Sequence, residues 1–449
     1  MSGELFDREE FAVPEEAGAD AIEPSSGRPR LRVPLRDQME WQTASLDQLL
    51  PAEDEARVVW SAVSELDVGS WLGEIRAVEG HVGRNATAPQ LLVALWVYAT
   101  LRGVASAREL ERLCENHLAY RWLCGGVSVN HHLLSDFRSR GGEKWDALLT
   151  QLVGTLLNAG LVTLERVAQD GMKVRANAGK SSFRRRSSLE KCLEEARQQV
   201  AALRKLAEEN PAEQQAARER AAEDRQARLE AALQHVEALQ AQRDVRAKRS
   251  NEPAKEARAS ATDPEARTMQ FSDGGTRPGV NVQFATDTAS GIVVGVAVTN
   301  AGNDHGQLGP MLEQLAERYG ATPDQALVDG GFASHADIEA AHTQHNCQVF
   351  SPLKHEKQEL AAGRNPYVPK RGDSPIIAQW RERMGTDEAR RIYRLRPQTA
   401  EWVNAQARNR NLWQMPVRGL AKCRIVAVLY ALAHNLWQAV SLRATASSR

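Results

Sequence analysis

Residues 186–248 read as helix and as little else, and that stretch constrains the rest of the chain. Leu189, Leu193, Ala196, Val200, Leu203 and Ala207 recur at alternating spacings of four and three, the seam of a coiled coil. Asn210-Pro211 interrupts the seam, because proline lacks a backbone donor and clashes with the preceding turn. The pattern resumes at Leu229, Leu233 and Val236. Strand-like sequence lies on both sides. Residues 161–170 have the β-branched content of a strand, and 282–286 and 292–299 flank a hairpin signal, Thr288-Ala289-Ser290-Gly291. Two architectures satisfy this order: an antiparallel helical hairpin inserted into a sheet domain, or one long coiled coil that dimerises the protein.

Around this centre the chain divides by pattern. Residues 1–40 are rich in Glu, Pro and Gly with no period, which predicts a disordered acidic arm. Residues 41–160 are helical. Thr87-Ala88-Pro89 starts a buried helix over 91–101, and Ser106 with Glu109 forms a capping box opening a second helix. After Gly125-Gly126, Ser128 starts a third short helix that ends near Arg138. Short helices with tight turns and a final Arg-bearing helix allow a helix-turn-helix DNA reader, or simply an all-α packing domain. Downstream, 308–318 is helical, 325–328 is a strand ending in Asp329-Gly330-Gly331, Ser334 and Asp337 cap a helix, and 347–350 is a strand. Residues 353–385 look loop-rich and basic, and from Thr386 the chain is helical to about Ser441, with a tail at 442–449.

Charge is segregated. The chain carries 57 basic and 58 acidic residues, a net of −1, which taken whole argues against a nucleic-acid partner. Residues 1–60 hold 14 acids and 6 bases, 172–258 hold 20 bases and 14 acids, and 351–449 hold 18 bases and 7 acids. Solvated helix faces explain much of the middle excess but not the C-terminal one, which fits a polyanion. No apolar run is longer than 91–99, short of the about 20 residues a bilayer requires, so no membrane is expected. Five scattered cysteines without a C-x-x-C predict neither a disulfide framework nor a zinc site. His342, His345 and Cys347 are better read as a helix end entering a strand than as metal ligands.

Asp170 and Asp329 stand at predicted strand ends, each followed by glycine. Mg²⁺ takes oxygen ligands and is typically held by one or two carboxylates plus phosphate oxygens. Glu401 is the candidate third acid, because it lies among Arg391, Arg394, Arg396, Arg408 and Arg410. Asp287 and Asp304 are expected in turn and capping roles, and His305 at the surface.

The ordered blocks resemble those of bacterial insertion-sequence transposases of the DDE class, over about residues 60–440. They are Asp170-Gly171-Met172-Lys173-Val174-Arg175, then Asp263-Pro264-Glu265-Ala266-Arg267, Asp273-Gly274-Gly275 and Gly279-Val280-Asn281-Val282-Gln283. Val298 to Asp304, Val328 to Phe332, and Tyr393, Arg396 and Glu401 follow, and then Arg418 to Lys422 and Ala433 to Leu436. The resemblance implies an α/β fold: an RNase H-like catalytic domain over 161–441 with a helical insertion at 186–260, preceded by the all-α domain at 41–160 as a DNA reader. It implies Asp170, Asp329 and Glu401 as a catalytic, metal-binding triad using Mg²⁺, with Mn²⁺ as substitute. Tyr393, Arg396, Arg408, Lys173, Arg175 and Arg138 are the expected DNA contacts, with Arg396 on a phosphate. The implied activity is cleavage at element ends and strand transfer. The implied partners are double-stranded DNA, as terminal inverted repeats and target, and a second copy of the chain or more. The implied location is the bacterial cytoplasm, at the nucleoid when bound to DNA. Two rivals share these motifs: a catalytically inactive DNA-binding descendant, and an RNase H-like nuclease that cuts without joining. After Glu401 the sequence has Asn404 where relatives carry an aromatic residue, and Arg408 where they carry lysine.

Overall fold

The computed structural model describes residues 43–447, apart from residues 79, 81–84, 210–212, 251–252 and 333. The acidic arm, the Asn210-Pro211 break and the end of the expected tail lie outside the described residues.

Among the described residues eight helices come first: α1 (Leu46–Leu49), α2 (Glu55–Ser64), α3 (Gly69–Leu72), α4 (Pro89–Leu101), α5 (Ala107–Asn116), α6 (Leu118–Cys124), α7 (His131–Arg140) and α8 (Gly142–Asn158). Pro89 occupies the first turn of α4, where its missing donor costs nothing. Nine consecutive residues of α4, Leu91 to Ala99, are buried, so this helix is surrounded on all sides. The Ser106 hydroxyl caps α5 at the Glu109 N–H, but the Glu109 carboxylate is bonded to Arg112 instead of returning to the cap. The third expected helix starts later than its sequence suggests. Asn130, not Ser128, accepts the Leu133 N–H and caps α7.

The sheet is built from β1 (Arg166–Arg175), β4 (Arg267–Gln270), β5 (Thr276–Asp287), β6 (Val293–Thr299), β7 (Gln325–Leu327) and β8 (Gln348–Phe350); β2 (Phe183–Arg184) and β3 (Ala259–Ser260) form a separate ladder. β5 pairs antiparallel with β1 along one edge, while β4 and β6 pair antiparallel with successive parts of it along the other. β7 and β8 continue from β1 in parallel. The expected strand at 161–170 is displaced. Leu164 has φ 56°, so the chain is still turning there, and β1 then runs through Asp170 to Arg175. Asp170 therefore sits mid-strand instead of at a strand end.

Between β2 and β3 the chain passes through α9 (Arg186–Glu209) and α10 (Glu213–Ser250). Arg186–Glu237, Arg197–Glu230 and Arg204–Glu223 pair in descending order along α10, so the helices run antiparallel. Leu189, Leu193 and Ala196 pack on Leu229, Ala232 and Val236 in an apolar cluster of their own.

The remaining helices are α11 (Leu308–Tyr319), α12 (His335–His345), α13 (Glu356–Ala361), α14 (Pro375–Met384), α15 (Asp387–Tyr393), α16 (Trp402–Asn409) and α17 (Leu420–Ser447), with a π-helical turn at Pro397–Glu401. Two of them, α13 and α14, fall in the segment expected to be loop. Ser374 caps α14 and Pro375 opens it, a start signal hidden among basic and glycine-rich neighbours. Helix α17 continues past the expected end near Ser441 to Ser447.

One large core joins α4, α8 and α17 to one face of the sheet through Met172, Val174, Val282, Phe284 and Val296. A second core packs α11, α12 and α14 around β7 and β8. By length and composition Leu420–Ala444 could cross a membrane, but 67% of its apolar window is buried within the fold. Asn435 on α17 shows what that burial achieves. Its side-chain amide accepts from the Val293 N–H at 2.8 Å and donates to the Val293 carbonyl at 2.7 Å, satisfying the start of β6.

Candidate active site

The π-helical turn places Arg396 at the centre of the site. Its guanidinium is buried, and it donates from Nη2 to Asp170 Oδ1 at 2.8 Å and from Nη1 to Glu401 Oε1 at 3.0 Å. Asp170 is also held from α16, where Asn404 Nδ2 donates to its Oδ2 at 2.9 Å. Both Asp170 oxygens are therefore oriented by the segment that follows α15. Glu401 is different: its side chain is 55% exposed and faces solvent beyond Arg396.

Asp329 follows β7, whose last strand residue is Leu327. Its backbone is fixed by Val328, which donates to the Phe350 carbonyl, and by Ser351 Oγ, which donates to the Asp329 carbonyl at 3.1 Å. Its Oδ1 accepts the Gly331 N–H at 2.7 Å. Burial pushes the Asp170 carboxyl up; Arg396 opposes this, but the negative fields of Asp329 and Asp304 add to it. For Arg396 burial works against the charge, and Asp170, Tyr393, Asp329 and Glu401 together overcome it and raise its proton affinity. Tyr393, at the end of α15, is half-buried, and burial pushes its phenol up. The three candidate acids, Arg396 and Tyr393 thus share one electrostatic neighbourhood.

A fourth acid belongs here that sequence reading assigned to a turn. Along β5, Val280, Val282 and Phe284 point into the large core, so Asn281 and Gln283 point the other way. Both donate to Asp304 Oδ1, at 2.7 Å and 2.6 Å. Asp304 reaches the strand at Gly171. A Cβ there would lie 2.5 Å from Gln283 Nε2 and closer still to Asp304 Oδ1. The available signal was the polar alternation of Asn281 and Gln283 in an otherwise apolar strand, together with glycine after Asp170.

The other expected contacts divide. Lys173, Arg175 and Arg408 border one groove beside Gly171 and Asp304. Arg138 does not join them. It is 6% exposed, stacks over the Trp96 ring at 4.1 Å and donates to the Ala105 carbonyl, and burial lowers its pKa to about 10. That corrects its expected role: the guanidinium braces α4 against α7 and does not face outward. Arg396, expected on a phosphate, is likewise inside, between two carboxylates. Asp287 keeps its expected turn role, accepting from the Ser290 N–H and hydroxyl. Among the described residues no group of three or more histidine, cysteine or acidic side chains stands ready-made to hold a metal, His342, His345 and Cys347 included.

Two family models match the chain. The Transposase domain (DUF772) matches residues 44–140, and the Transposase DDE domain matches residues 244–436. The chain belongs to the insertion-sequence DDE transposases. No curated protein and no solved structure matches this transposase. The DDE match covers Asp329, Arg396 and Glu401 but begins after Asp170, so only the fold connects the first acid to the rest. DDE transposases act on DNA and use a divalent metal. The side chains present in this transposase fit such an ion in kind and in charge. Carboxylate oxygens are the ligands a hard cation takes. Burial is the main cause that raises the proton affinity of Asp170, and Asp329 and Asp304 add to it against Arg396, so several carboxylates act on one another here. Asn404 Oδ1, an acceptor beside Asp170, is also buried without a hydrogen-bond partner.

Proposed function

We propose that this transposase cleaves DNA at the ends of its element and joins the freed 3′ ends to target DNA, with Asp170, Asp329 and Glu401 as the catalytic acids. The observation that carries this reading is the Arg396 clamp, which draws Asp170 and Glu401 onto one guanidinium within the field of Asp329. Mg²⁺ or Mn²⁺ held by the three acids would supply charge stabilisation for the phosphate oxygens during in-line displacement. The chain's own part is positioning. Arg396 and Asn404 fix both oxygens of Asp170, while Glu401 keeps an exposed carboxylate. Lys173, Arg175 and Arg408 hold the DNA backbone, which makes binding salt-dependent.

On this reading residues 161–441 form an RNase H-like catalytic domain that carries the helical insertion at 186–260. Residues 41–160 recognise the terminal inverted repeats. Joining two ends calls for at least two copies on DNA, in the cytoplasm at the nucleoid.

The test is cleavage and strand transfer of labelled element ends with Mg²⁺, using Asp170→Asn, Asp329→Asn and Glu401→Gln. Each substitution is expected to abolish both reactions and leave end binding intact. Cleavage that survives any of them removes that acid from the triad. Binding without cleavage by the unaltered protein identifies a non-catalytic descendant, and cleavage without joining identifies a nuclease.

A further inference from the structure

The groove beside Asp304 holds more than phosphate contacts. Its floor is formed by alternate outward residues of β1, Gly171, Lys173 and Arg175, and its volume is about 460 Å³. Arg408 and Trp413 line it on one side, and Phe271 after β4 and Arg277 at the start of β5 line it as well. Four cations thus line the groove with one acid, Asp304, at the end next to Asp170, and Arg277 is additionally paired with Asp273. The walls also carry two aromatic rings, and each is faced by a cation. Arg175 lies over Trp413 at 5.6 Å, and Arg277 lies over Phe271 at 5.3 Å.

Trp413 is the unusual element. It is 49% exposed, although large apolar side chains normally seek the core. Its position is fixed by backbone and not by its own burial: the Arg175 N–H donates to the Trp413 carbonyl at 3.0 Å, and the Met415 N–H donates to the Arg175 carbonyl at 2.8 Å. The chain therefore anchors the backbone beneath an exposed indole ring at the edge of a basic groove, with Arg175 over the ring. Phe271 is similarly set, packed so closely on Gly279 that a Cβ there would lie 2.9 Å from its ring.

We propose that this groove binds an unpaired stretch of DNA next to the scissile phosphodiester, with Trp413 as the stacking surface for a base. A continuous duplex presents phosphates, sugars and base edges but keeps its base faces stacked within the helix, so an aromatic ring finds no face to stack on. Exposed rings interleaved with cations are what single-stranded nucleic acid uses, because a base has a face to stack only when it is out of the helix. The groove starts at Gly171, so a strand lying in it passes the acidic cluster as soon as it leaves the duplex. This rests on the reading of the site as a DNA-cleaving centre and specifies the form of DNA it takes there.

The test is binding of a single-stranded oligonucleotide carrying 2-aminopurine, without divalent metal, so that no cleavage is required. The unaltered protein should bind it and quench the fluorophore by stacking. Trp413→Ala should weaken binding roughly 5- to 150-fold and abolish most of the quench. Trp413→Phe should retain most of both, and Arg408→Ala should lower the salt slope by about 0.7 while leaving the quench intact. Circular dichroism and melting of each variant verify folding. Unchanged affinity and quench in a folded Trp413→Ala overturns the proposal, as does equal loss in Trp413→Phe. Duplex cleavage by the unaltered protein is measured in parallel. Cleavage that persists while Trp413→Ala binds single strands normally ends the groove proposal alone. Trp413-dependent binding in a protein that never cleaves leaves the groove standing and removes the catalytic reading.

Discussion

At the scale of single residues, the site is governed by charge compensation. The Asp170 side chain is only 16% exposed and its two oxygens are held by Arg396 and Asn404, so removing Arg396 leaves a largely enclosed carboxylate without its counter-charge. Arg396→Ala is expected to cost about 3–5 kcal/mol in urea unfolding, and the double change with Asp170→Asn to recover most of it, because an amide needs no counter-charge. Equal stability of the single and double variants would mean that the pair is not coupled. Gly171→Ala addresses the other side. Its methyl would displace Asp304 and Gln283, so cleavage should fall by at least about tenfold while Lys173, two residues on, still binds DNA. Normal cleavage by Gly171→Ala would show that Asp304 can move away without consequence. The residue types of the site were readable from sequence: two Asp-Gly pairs, and a glutamate among arginines. Their partners were not. Nothing local in Asn404 or Arg396 marks them as Asp170 ligands across 234 and 226 positions, and Asp304 resembles any acid before a helix.

At the scale of elements, legibility followed how locally each element is determined. Helix α4 was visible because Pro89 and an unbroken apolar run define it without help from the rest of the chain. The β5–β6 hairpin was visible because its turn sits between β-branched runs, and α12 because Ser334 and Asp337 cap each other. β1 was misplaced because its true span is set by pairing with β5, from Val167 opposite Asp287 to Arg175 opposite Gly279. Composition could not place α14, since what buries Ile377 and Trp380 is a sheet face distant in sequence. The α9–α10 pair is the most self-contained element, with its own apolar seam and mostly exposed ion pairs that contribute little. Ala232 is fully buried in that seam. Ala232→Glu should part the two helices and open residues 186–250 to trypsin, while the melting transition of the remaining fold stays unchanged. A joint loss of both would show that the pair supports the sheet.

At the scale of the whole molecule, α17 makes one body of the helical region and the sheet. It packs on α4 and α8 and also supplies Asn435 to β6, and Arg424 shares Asp146 of α8 with Arg318 of α11. Beside Asn435, His434 is buried with Nε2 3.0 Å from the Gly291 carbonyl, and burial lowers its pKa to about 4. The unfolded chain takes up that proton near the usual 6.5, whereas the folded chain resists it until about 4. Stability from this group is therefore complete above about pH 6.5 and declines as pH falls toward 4, by at most about 1.4 kcal/mol per pH unit. Melting of His434→Gln should lose that part of the slope between pH 6.5 and 5, and an unchanged slope would place the acid sensitivity elsewhere. The Arg396 clamp also has a consequence in time. A ribosome makes Asp170 226 residues before its counter-charge, an interval on the order of 11 to 45 s at about 5–20 residues per second. A nascent or prematurely terminated chain has the strands of the sheet but no neutralised first acid. The order of synthesis thus keeps the proposed acid cluster unassembled until Arg396 has been made.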